Sequence, residues 1–508
     1  MSTPALTVRL NPNDNVVVAR LDLLEGTPIA GEGVSTAERI PAGHKVATRP
    51  IAKGEPVRKF DQIIGFATTD IAPGRHIHVQ NCAMGDFDRD YAVGQGVRNI
   101  EMVPEDRRPS FQGYLRDNGK AGTRNYIGVL STVNCSASVC KFIADKFPAE
   151  ELAKYPNVDG IVAITHGTGC GMADRGEGYA TLQRTLWGFA KHANFASILM
   201  IGLGCEVMQI DFLTEAYGIK AGPYFRTMTL QDTGGTRATI DRAHAMIREM
   251  LPHANEFARQ PISVSEISLA LQCGGSDGYS GITANPALGH CADLLVQNGG
   301  TAILSETPEI YGAEHLLTRR AISQQVADKL IERIHWWEEY CERNGGEMNN
   351  NPSPGNKKGG LTTILEKSLG AAAKGGTTNL MGVYKYAEPI DARGFVYMDS
   401  PGYDPASATG QVASGGNIIC FTTGRGSCFG FKPAPSIKIA TNTAMYRRME
   451  DDMDVNAGGI VDGEETIQQV GKRIFDKVVA VASGEKSKSE ALGMGDNEFV
   501  PWQIGAVM

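Results

Sequence analysis

The stretch Val158-Asp-Gly-Ile-Val-Ala-Ile-Thr-His-Gly-Thr-Gly-Cys170 decides the fold class of this chain. A continuous apolar run ends in a Gly-rich turn, and an amphipathic segment over residues 181–192 follows it. The same order recurs upstream in Tyr126–Cys135 and downstream in Ala196–Cys205. The three cysteines are 35 residues apart (170 − 135 and 205 − 170), which is the length of one strand with its crossover helix. The pattern predicts a largely parallel sheet covered by helices, an α/β fold.

The rest of the chain divides by composition and periodicity. Residues 1–90 contain short apolar runs separated by Pro- and Gly-bearing turns, which predicts a small β domain. Residues 91–110 are polar and Pro-flanked, as in a linker. Residues 111–390 predict an α/β catalytic domain with a Gly- and Asn-rich loop at 345–380, and residues 391–508 predict a C-terminal α/β domain that ends in a helix over 465–481.

Composition and charge exclude several classes of protein. The chain has 508 residues and a net charge of −8, which argues against nucleic acid or an anionic membrane as the main partner. No apolar stretch approaches the roughly 18 residues of a membrane span, and the first residues resemble no secretory signal. We therefore expect a cytoplasmic protein whose ten cysteines do not form a disulfide framework.

Polar and metal-capable residues follow five of the predicted strands. In open parallel sheets, ligands bind beyond the carboxyl ends of the strands. The five ends are Thr132–Cys135, His166–Gly171, Gly204–Glu206, Gln272–Asp277 and Ser305–Glu309. No Cys-x-x-Cys pair is present, but thiolates from separate strands suit iron. The Gly-rich turns do not match the dinucleotide fingerprint. The ends predict one reaction centre that uses a metal.

Single residues outside the cysteines are also candidates. His166 follows a strand and has a side chain suited to act as a base or a metal ligand. His76 and His78 lie on one face of a short predicted strand, where they can grip one ion. Arg124 and Arg425 stand among small residues at strand boundaries, and their guanidinium groups suit a carboxylate.

Seven motifs together resemble the altronate/galactarate dehydratase family of hydro-lyases, over nearly the whole chain. They are Gly43-His-Lys-Val-Ala47, Gly122-Thr-Arg-Asn125, Gly169-Cys-Gly171, Leu203-Gly-Cys-Glu206, Gln272-Cys-Gly-Gly-Ser-Asp277, Asn351-Pro-Ser-Pro-Gly-Asn-Lys357 and Phe421-Thr-Thr-Gly-Arg-Gly426. The resemblance implies an N-terminal SAF-type domain (a β-clip module) and a larger α/β body. It also implies a divalent metal, usually iron, and a 2-keto-3-deoxy sugar acid as the product.

The resemblance also guides the assignment of residues. Members of the family often carry His-x-His-x-His-Asn in the N-terminal domain, whereas this chain has Gln80 at the third position, so His78 is the common element. Fe2+ is the expected metal, with Mn2+ or an iron–sulfur cluster as alternatives. The assignment places His44, Lys45, His166 and Arg425 in catalysis; Arg124, Asn125, Ser276, Asp277, Lys357 and Gly424 in substrate binding; and His78, Cys135, Cys170, Cys205, Glu206 and Cys273 at the metal.

Two other functions compete with dehydration of a sugar acid. Related proteins resemble lyases that release sulfite from sulfolactate, and such an enzyme would take a shorter, sulfonated substrate. A non-catalytic sugar-acid binding protein is the rival from another class. The expected partner is a small sugar acid, with no nucleic acid and no membrane, and we expect a homo-oligomer from the frequency of oligomers among soluble proteins.

Overall fold

The computed structural model describes residues 5–87 and 89–507. Its N-terminal part is built from short antiparallel strands, as the sequence predicted. The strands are β1 (Thr7–Val8), β2 (Val16–Ala19), β3 (Pro28–Ile29), β4 (Val34–Ser35), β5 (Lys45–Ala47), β6 (Pro56–Lys59), β7 (Gln62–Ala67), β8 (His76–Ile77) and β9 (Cys82–Ala83). They form sheets of order β1-β2-β5-β8, β3-β4 and β6-β7-β9.

A small antiparallel sheet separates this domain from the two parallel sheets. It contains β10 (Ser110–Leu115), β11 (Ala121–Gly122) and β16 (Gln260–Ser263). Residues 91–104, in the predicted linker, contain no helix and no strand. Because β16 lies about 150 residues after β10 in the chain, this sheet brackets the domain in between.

The bracketed domain contains the stretch quoted first, and its sheet is parallel. The elements are β12 (Tyr126–Ser131), α1 (Asn134–Asp145), α2 (Ala149–Leu152), β13 (Gly160–Ile164), α3 (Glu177–Ala190), β14 (Phe195–Gly202), α4 (Ile210–Tyr217), β15 (Phe225–Thr229), α5 (Leu230–Thr233) and α6 (Thr236–Glu256). The order is β13-β12-β14-β15. All eight residues of β14 are buried, since helices cover both faces.

A second parallel sheet forms the largest part of the protein. Its strands are β17 (Ser268–Cys273), β18 (Thr301–Leu304), β19 (Leu380–Tyr384), β20 (Gly394–Met398), β21 (Ile418–Thr423), β22 (Ser436–Ala440) and β23 (Val455–Asn456), in the order β19-β20-β18-β17-β21-β22-β23. The helices are α7 (Ala284–Gln297), α8 (His315–Thr318), α9 (Gln324–Arg343), α10 (Pro354–Lys358), α11 (Ile364–Ala372), α12 (Asp404–Ala413), α13 (Thr443–Arg448), α14 (Gly459–Asp462), α15 (Ile467–Ala482) and α16 (Lys488–Ala491).

The observed topology differs from the sequence expectations in three respects. The predicted boundary at residue 390 falls between β19 and β20, which pair with each other in one sheet. The predicted loop at 345–380 contains α10 and α11, because Ser353 and Thr363 cap these helices with their side chains. The five polar strand ends belong to two sheets, three to the first and two to the second. Among the described helices, none has the length and apolar character needed to cross a bilayer.

Candidate functional site

Three histidines of the N-terminal domain converge, and we call them the histidine triad: His44, His76 and His78. The ring centroids are 4.9–5.4 Å apart, and His44 Nδ1 lies 2.9 Å from His76 Nε2. One nitrogen from each ring falls within 4.8 Å of the other two. The Nδ1 atom of His78 is buried and has no hydrogen-bond partner in the described chain. An unpaired buried nitrogen of this kind indicates a missing ligand.

Strand pairing places these rings together. His44 comes immediately before β5, and β5 pairs with β8 so that Val46 lies opposite His76. His78 is two residues beyond His76 and therefore points to the same side. Gly43 precedes the triad with a φ of +80°, a backbone conformation that glycine adopts without strain.

The chemistry of the triad suits a divalent transition metal. Burial lowers the pKa of His44, lowers that of His76 to about 4 and lowers that of His78 to about 3. The rings are therefore neutral at pH 7 and have free lone pairs, which is the form in which imidazole binds iron. Gln80, which replaces a histidine of the family pattern, is exposed and donates to the carbonyl of His76. His44 supplies the third ring instead.

The turn at residues 358–360 covers the triad from the side of the large sheet. His44 Nε2 lies 3.3 Å from the carbonyl oxygen of Lys358, and the N–H of Gly278 donates to the carbonyl of Gly359 at 2.8 Å. A Cβ at Gly360 would lie 2.6 Å from the carbonyl oxygen of Gly43, so only glycine permits this approach. Lys357, predicted to bind substrate, is half-buried on α10.

A buried ion triad fixes the N-terminal domain to the large domain. It consists of Lys45, Lys59 and Glu366, whose side chains are at most 2% exposed. Lys45 Nζ lies 2.8 and 3.0 Å from the two carboxylate oxygens of Glu366, and Lys59 Nζ lies 3.0 Å from one of them. Burial opposes ionisation of Glu366, but the two ammonium groups outweigh it and hold its pKa well below the ordinary value. Lys45 was predicted to be catalytic, whereas its ammonium group is engaged in this interface.

A second buried group of charges lies at the carboxyl ends of β17 and β18. We call it the acid–lysine cluster: Cys273, Glu306, Glu309, Lys367 and Lys374. Lys374 Nζ lies 2.8 Å from Cys273 Sγ and 3.5 Å from a Glu306 oxygen. Lys367 Nζ lies 2.6 Å from a Glu309 oxygen. Although Cys273, Glu306 and Glu309 are close enough to hold an ion, the two ammonium groups already supply positive charge, so the cluster suits proton transfer better than metal binding.

Glu306 is the most constrained member of the cluster. It has a φ of +74° without being glycine, and its Oε1 atom is buried with no hydrogen-bond partner in the described chain. Burial and the neighbouring charge of Glu309 raise its pKa well above the ordinary value. Backbone strain and a perturbed carboxyl group occur together at functional sites.

Asp404 lies at the half-buried edge of the acid–lysine cluster. It is the first residue of α12, and a Cβ at Gly274 would lie 2.1 Å from its Oδ2 atom. Burial and the charge of Glu309 raise the pKa of Asp404 to about 6. A carboxyl group with such a pKa can accept or release a proton near neutral pH.

Arg425 lies on the other side of the turn formed by Gly274 and Gly275. Its side chain is exposed, while its backbone N–H donates to the carbonyl of Gly275 at 2.8 Å. A Cβ at Gly359 would lie 3.3 Å from Arg425 Cδ. Arg425 lies against Gly359, and His44 lies against Gly360, so Arg425 and the histidine triad contact the same turn.

Three family models match the chain in sequence order, and they coincide with the structural units. The altronate/galactarate dehydratase SAF domain matches residues 5–85, the second domain of D-galactarate dehydratase/altronate hydrolase matches 113–255, and the C-terminal domain of D-galactarate/altronate dehydratase matches 264–507. The chain belongs to the altronate/galactarate dehydratase family. The N-terminal β domain is thus its SAF domain, and the resemblance seen in the sequence motifs is confirmed.

Individual relatives cover nearly the same length. Galactarate dehydratase (L-threo-forming) of Escherichia coli is 36% identical over 95% of this chain and 94% of its own. Altronate dehydratase of Bacillus subtilis is 32% identical over 94% and 95%. The β subunit of (2R)-sulfolactate sulfo-lyase from Chromohalobacter salexigens is 31% identical over 77% of this chain and 96% of its own. The first two are dehydratases, and the family is one of hydro-lyases.

Several residues predicted to bind substrate hold loops together in this member of the family. Asp277 is buried and accepts hydrogen bonds from Thr441 and Asn442 at 3.0–3.1 Å. A Cβ at Gly424 would lie 2.1 Å from Asp277 Cγ, so Gly424 is needed for close packing. Ser276 is buried, and its carbonyl accepts from the Asn356 side chain of α10.

Arg124 and Asn125 lie at the opposite edge of the first parallel sheet. They precede β12 and so stand at its amino end. Arg124 forms two hydrogen bonds with the Glu490 carboxylate at 2.7 and 2.8 Å, and Asn125 accepts from Arg116 and donates to the carbonyl of Ala254. Both side chains are fully used in packing, which argues against the predicted role in substrate binding.

The cysteine-bearing ends of the first parallel sheet are separate from the acid–lysine cluster. Cys135, Cys170 and Cys205 are exposed, whereas both nitrogens of the buried His166 are occupied by the Ser131 carbonyl and the Thr168 N–H. Glu206 is buried, and its carboxylate accepts from Thr132, Leu203 and Gly204. His166 therefore lacks a free nitrogen for the predicted role as a base. Glu206 was predicted as a metal ligand, whereas its carboxylate oxygens accept hydrogen bonds that fix the turn.

Sequence reasoning did not assign a role to five residues of these clusters. Four, Glu306, Glu309, Lys367 and Lys374, are in the acid–lysine cluster, and the fifth is Asp404. The sequence signal that could have indicated Glu306 and Glu309 was the polar stretch Ser305–Glu309 at the end of a buried strand. His76 was considered only as a strand-face partner of His78. Nothing in the spacing of Lys374 or Asp404 indicates that they approach Cys273 and Gly274.

Proposed function

We propose that this protein is a metal-dependent dehydratase that removes water from a sugar acid of the galactarate or altronate type. The proposed product is a 2-keto-3-deoxy sugar acid. The observation that carries the proposal is the position of the histidine triad and Arg425 against one turn, Gly359–Gly360, in a chain of the altronate/galactarate dehydratase family. Relatives named galactarate dehydratase and altronate dehydratase support the substrate class.

The histidine triad is the proposed metal site. Three neutral imidazoles and the unpaired Nδ1 of His78 fit Fe2+, with Mn2+ as the alternative. When bound, a divalent cation supplies Lewis-acid stabilisation of negative charge on the substrate carboxylate. Lys45 lies beside His44 and, through its bonds to Glu366 and the Gly360 carbonyl, keeps the triad in a fixed position against the large domain.

Arg425 is the proposed site for the substrate carboxylate. Its side chain is exposed beside the Gly359–Gly360 turn, and the planar guanidinium fork matches a carboxylate with two hydrogen bonds. A pre-organised donor at the position where negative charge develops lowers the barrier by about 3 kcal/mol. Gly424 and Asp277 support the loop that carries Arg425.

Asp404 is the proposed base. Its carboxylate takes the proton from C2, the electron pair forms the C2–C3 double bond, and the C3–O bond breaks. Asp404 passes the same proton to the departing hydroxyl, which leaves as water, and the Asp404 carboxylate is regenerated. The enol that remains becomes the 2-keto acid by a proton shift, so one water is the only other product. Burial and the neighbouring charge of Glu309 in the acid–lysine cluster raise the pKa of Asp404 to about 6.

The first experiment is an anaerobic screen of aldonic and aldaric acids with added Fe2+. We expect formation of a 2-keto acid from a substrate of the galactarate or altronate type and no sulfite from sulfolactate. Sulfite release would instead favour the sulfo-lyase reaction, to which the C. salexigens relative points. Full turnover after chelation and gel filtration would contradict metal dependence.

The second experiment tests the metal site without measuring turnover. Bound iron is determined in the purified protein, in His78→Ala and in Gln80→Ala as a matched control, because Gln80 lies two residues away and is exposed. We expect His78→Ala to lose iron from this site and Gln80→Ala to retain it. Equal iron in both variants would remove the histidine triad from the proposal.

A further inference from the structure

Three of the ten cysteines lie at the carboxyl ends of neighbouring strands of the first parallel sheet. Cys135, Cys170 and Cys205 follow β12, β13 and β14, and the sheet order β13-β12-β14 puts the central one between the other two. The strands are in register at this end, since Leu130 pairs with both Ile164 and Met200. We call these residues the cysteine trio.

The turns that carry the cysteine trio pack against one another. The N–H of Asn134 donates to the carbonyl of Thr168 at 2.9 Å, and the N–H of Met208 donates to the carbonyl of Gly169 at 3.1 Å. A Cβ at Gly169 would lie 2.2 Å from the carbonyl oxygen of Thr132. The turn before Cys170 is therefore in contact with the turns of both Cys135 and Cys205, and glycine is required for this approach.

The exposure of the trio is unusual among the thiols of this chain. All three are exposed, whereas five of the other cysteines are buried and Cys341 is half-buried; only Cys428 shares their exposure. Exposed thiols are oxidised readily unless a ligand covers them. Three such thiols on adjacent strand ends are expected to bind something soft.

Cys135 also lies at the N-terminus of a helix. It is in the first turn of α1, a 12-residue helix whose N-cap makes no side-chain hydrogen bond and whose first turn has no acidic residue. The helix dipole puts partial positive charge at this end, which favours a negatively charged group bound there. The Gln231 side-chain amide also approaches Cys205 Sγ at 3.4 Å.

The spacing of the ligand atoms distinguishes a site for a single metal ion from a site for a metal cluster. In the described chain, only the histidine triad and the group of Cys273 with Glu306 and Glu309 bring three ligand atoms within 4.8 Å of one another. The cysteine trio does not meet this spacing for one shared ion, whereas an iron–sulfur cluster binds thiolates that lie farther apart from one another. We propose that Cys135, Cys170 and Cys205 are the protein ligands of an iron–sulfur cluster. Three thiolates would leave one iron of a four-iron cluster open to an oxygen ligand.

The test measures iron and acid-labile sulfide in the full-length protein, purified or reconstituted without oxygen. We expect both elements, a sulfide-to-iron charge-transfer absorption in the visible range, and a paramagnetic resonance signal in one oxidation state. Each of Cys135→Ser, Cys170→Ser and Cys205→Ser should lower sulfide and absorption several-fold. Cys428→Ser is the matched control and should retain them, because Cys428 is equally exposed but follows a strand of the other sheet.

The measurement of acid-labile sulfide distinguishes the proposed iron–sulfur cluster from the metal site of the proposed function. His78→Ala should retain sulfide and the visible absorption even if it loses iron from the histidine triad. Iron without sulfide in the unmodified protein, or full absorption in the three serine variants, would overturn the proposal. Loss of the cluster in Cys428→Ser would overturn the assignment to three cysteines. Each outcome is readable even if no sugar acid is turned over.

Discussion

Glu366→Gln should loosen the SAF domain from the large domain. The Glu366 carboxylate accepts from Lys45 and Lys59 and from the N–H and hydroxyl of Thr362. A glutamine offers one oxygen and places an NH2 group where the second oxygen was, so two buried ammonium groups lose their counter-charge. Removing one partner of a buried ion pair costs about 3–5 kcal/mol, or about two to three and a half orders of magnitude in an equilibrium constant.

Two measurements are made on Glu366→Gln and on the control variant Glu249→Gln. The first is thermal unfolding of the protein, and the second is limited proteolysis within residues 91–104. Glu249 pairs with Arg226 at the surface, where its side chain is 63% exposed, so the control should unfold nearly as the unmodified protein does. We expect Glu366→Gln to unfold at lower temperature and to be cleaved faster in the segment. Equal behaviour of the two variants would refute the reasoning.

A second substitution separates electrostatics from simple misfit. Adding Lys59→Met to Glu366→Gln removes one of the two unpaired ammonium groups. If buried charge causes the loss, the double variant should recover part of the stability of the single variant, a coupling that a double-mutant cycle measures. Additive losses would show that shape, rather than charge, dominates at this interface.

Three further predictions address the site directly. Asp404→Asn should lower turnover by about 10²–10⁴-fold. The kcat/KM of the unmodified enzyme should fall as pH falls through about 6, since the base must be ionised. If kcat/KM of the variant falls over the same pH range, the assignment of Asp404 as the base is contradicted. Gly424→Ala should destabilise by about 1–3 kcal/mol in thermal unfolding, because its Cβ would meet Asp277 at 2.1 Å. Arg124→Ala should destabilise by about 3–5 kcal/mol through loss of Glu490 and leave KM unchanged; a raised KM with normal stability would restore its predicted role.

The first parallel sheet could be predicted because its signals are local. Each strand is an apolar run, and β14 is buried along its whole length, so periodicity alone identifies it. The 35-residue interval between cysteines identified the crossover helices. Nothing local indicates which sheet a later strand joins. The connection between β19 and β20 contains Pro389 and polar residues, so it resembles a domain boundary although the two strands pair.

The site was only partly predictable because its members meet over long chain distances. Lys374 is 68 residues from Glu306 and 101 from Cys273, and no spacing rule links them. Cys273 lies at the carboxyl end of its strand, where ligands bind in parallel sheets, whereas Arg124 stands before its strand and so lies at the other end. Gln80 made a histidine site look incomplete, because the third ring comes from His44, which precedes a different strand of the SAF domain.

The location of the ion triad explains how two domains can share one reaction centre. The histidine triad is on the SAF domain, whereas Arg425 and Asp404 are on the large domain, so their separation depends on the interface. Lys45 is adjacent to His44 in the chain, and it donates to both Glu366 and the carbonyl of Gly360. A change that loosens this interface should therefore weaken the alignment of metal and base before it unfolds either domain, so Glu366→Gln should lose turnover at temperatures where both domains are still folded.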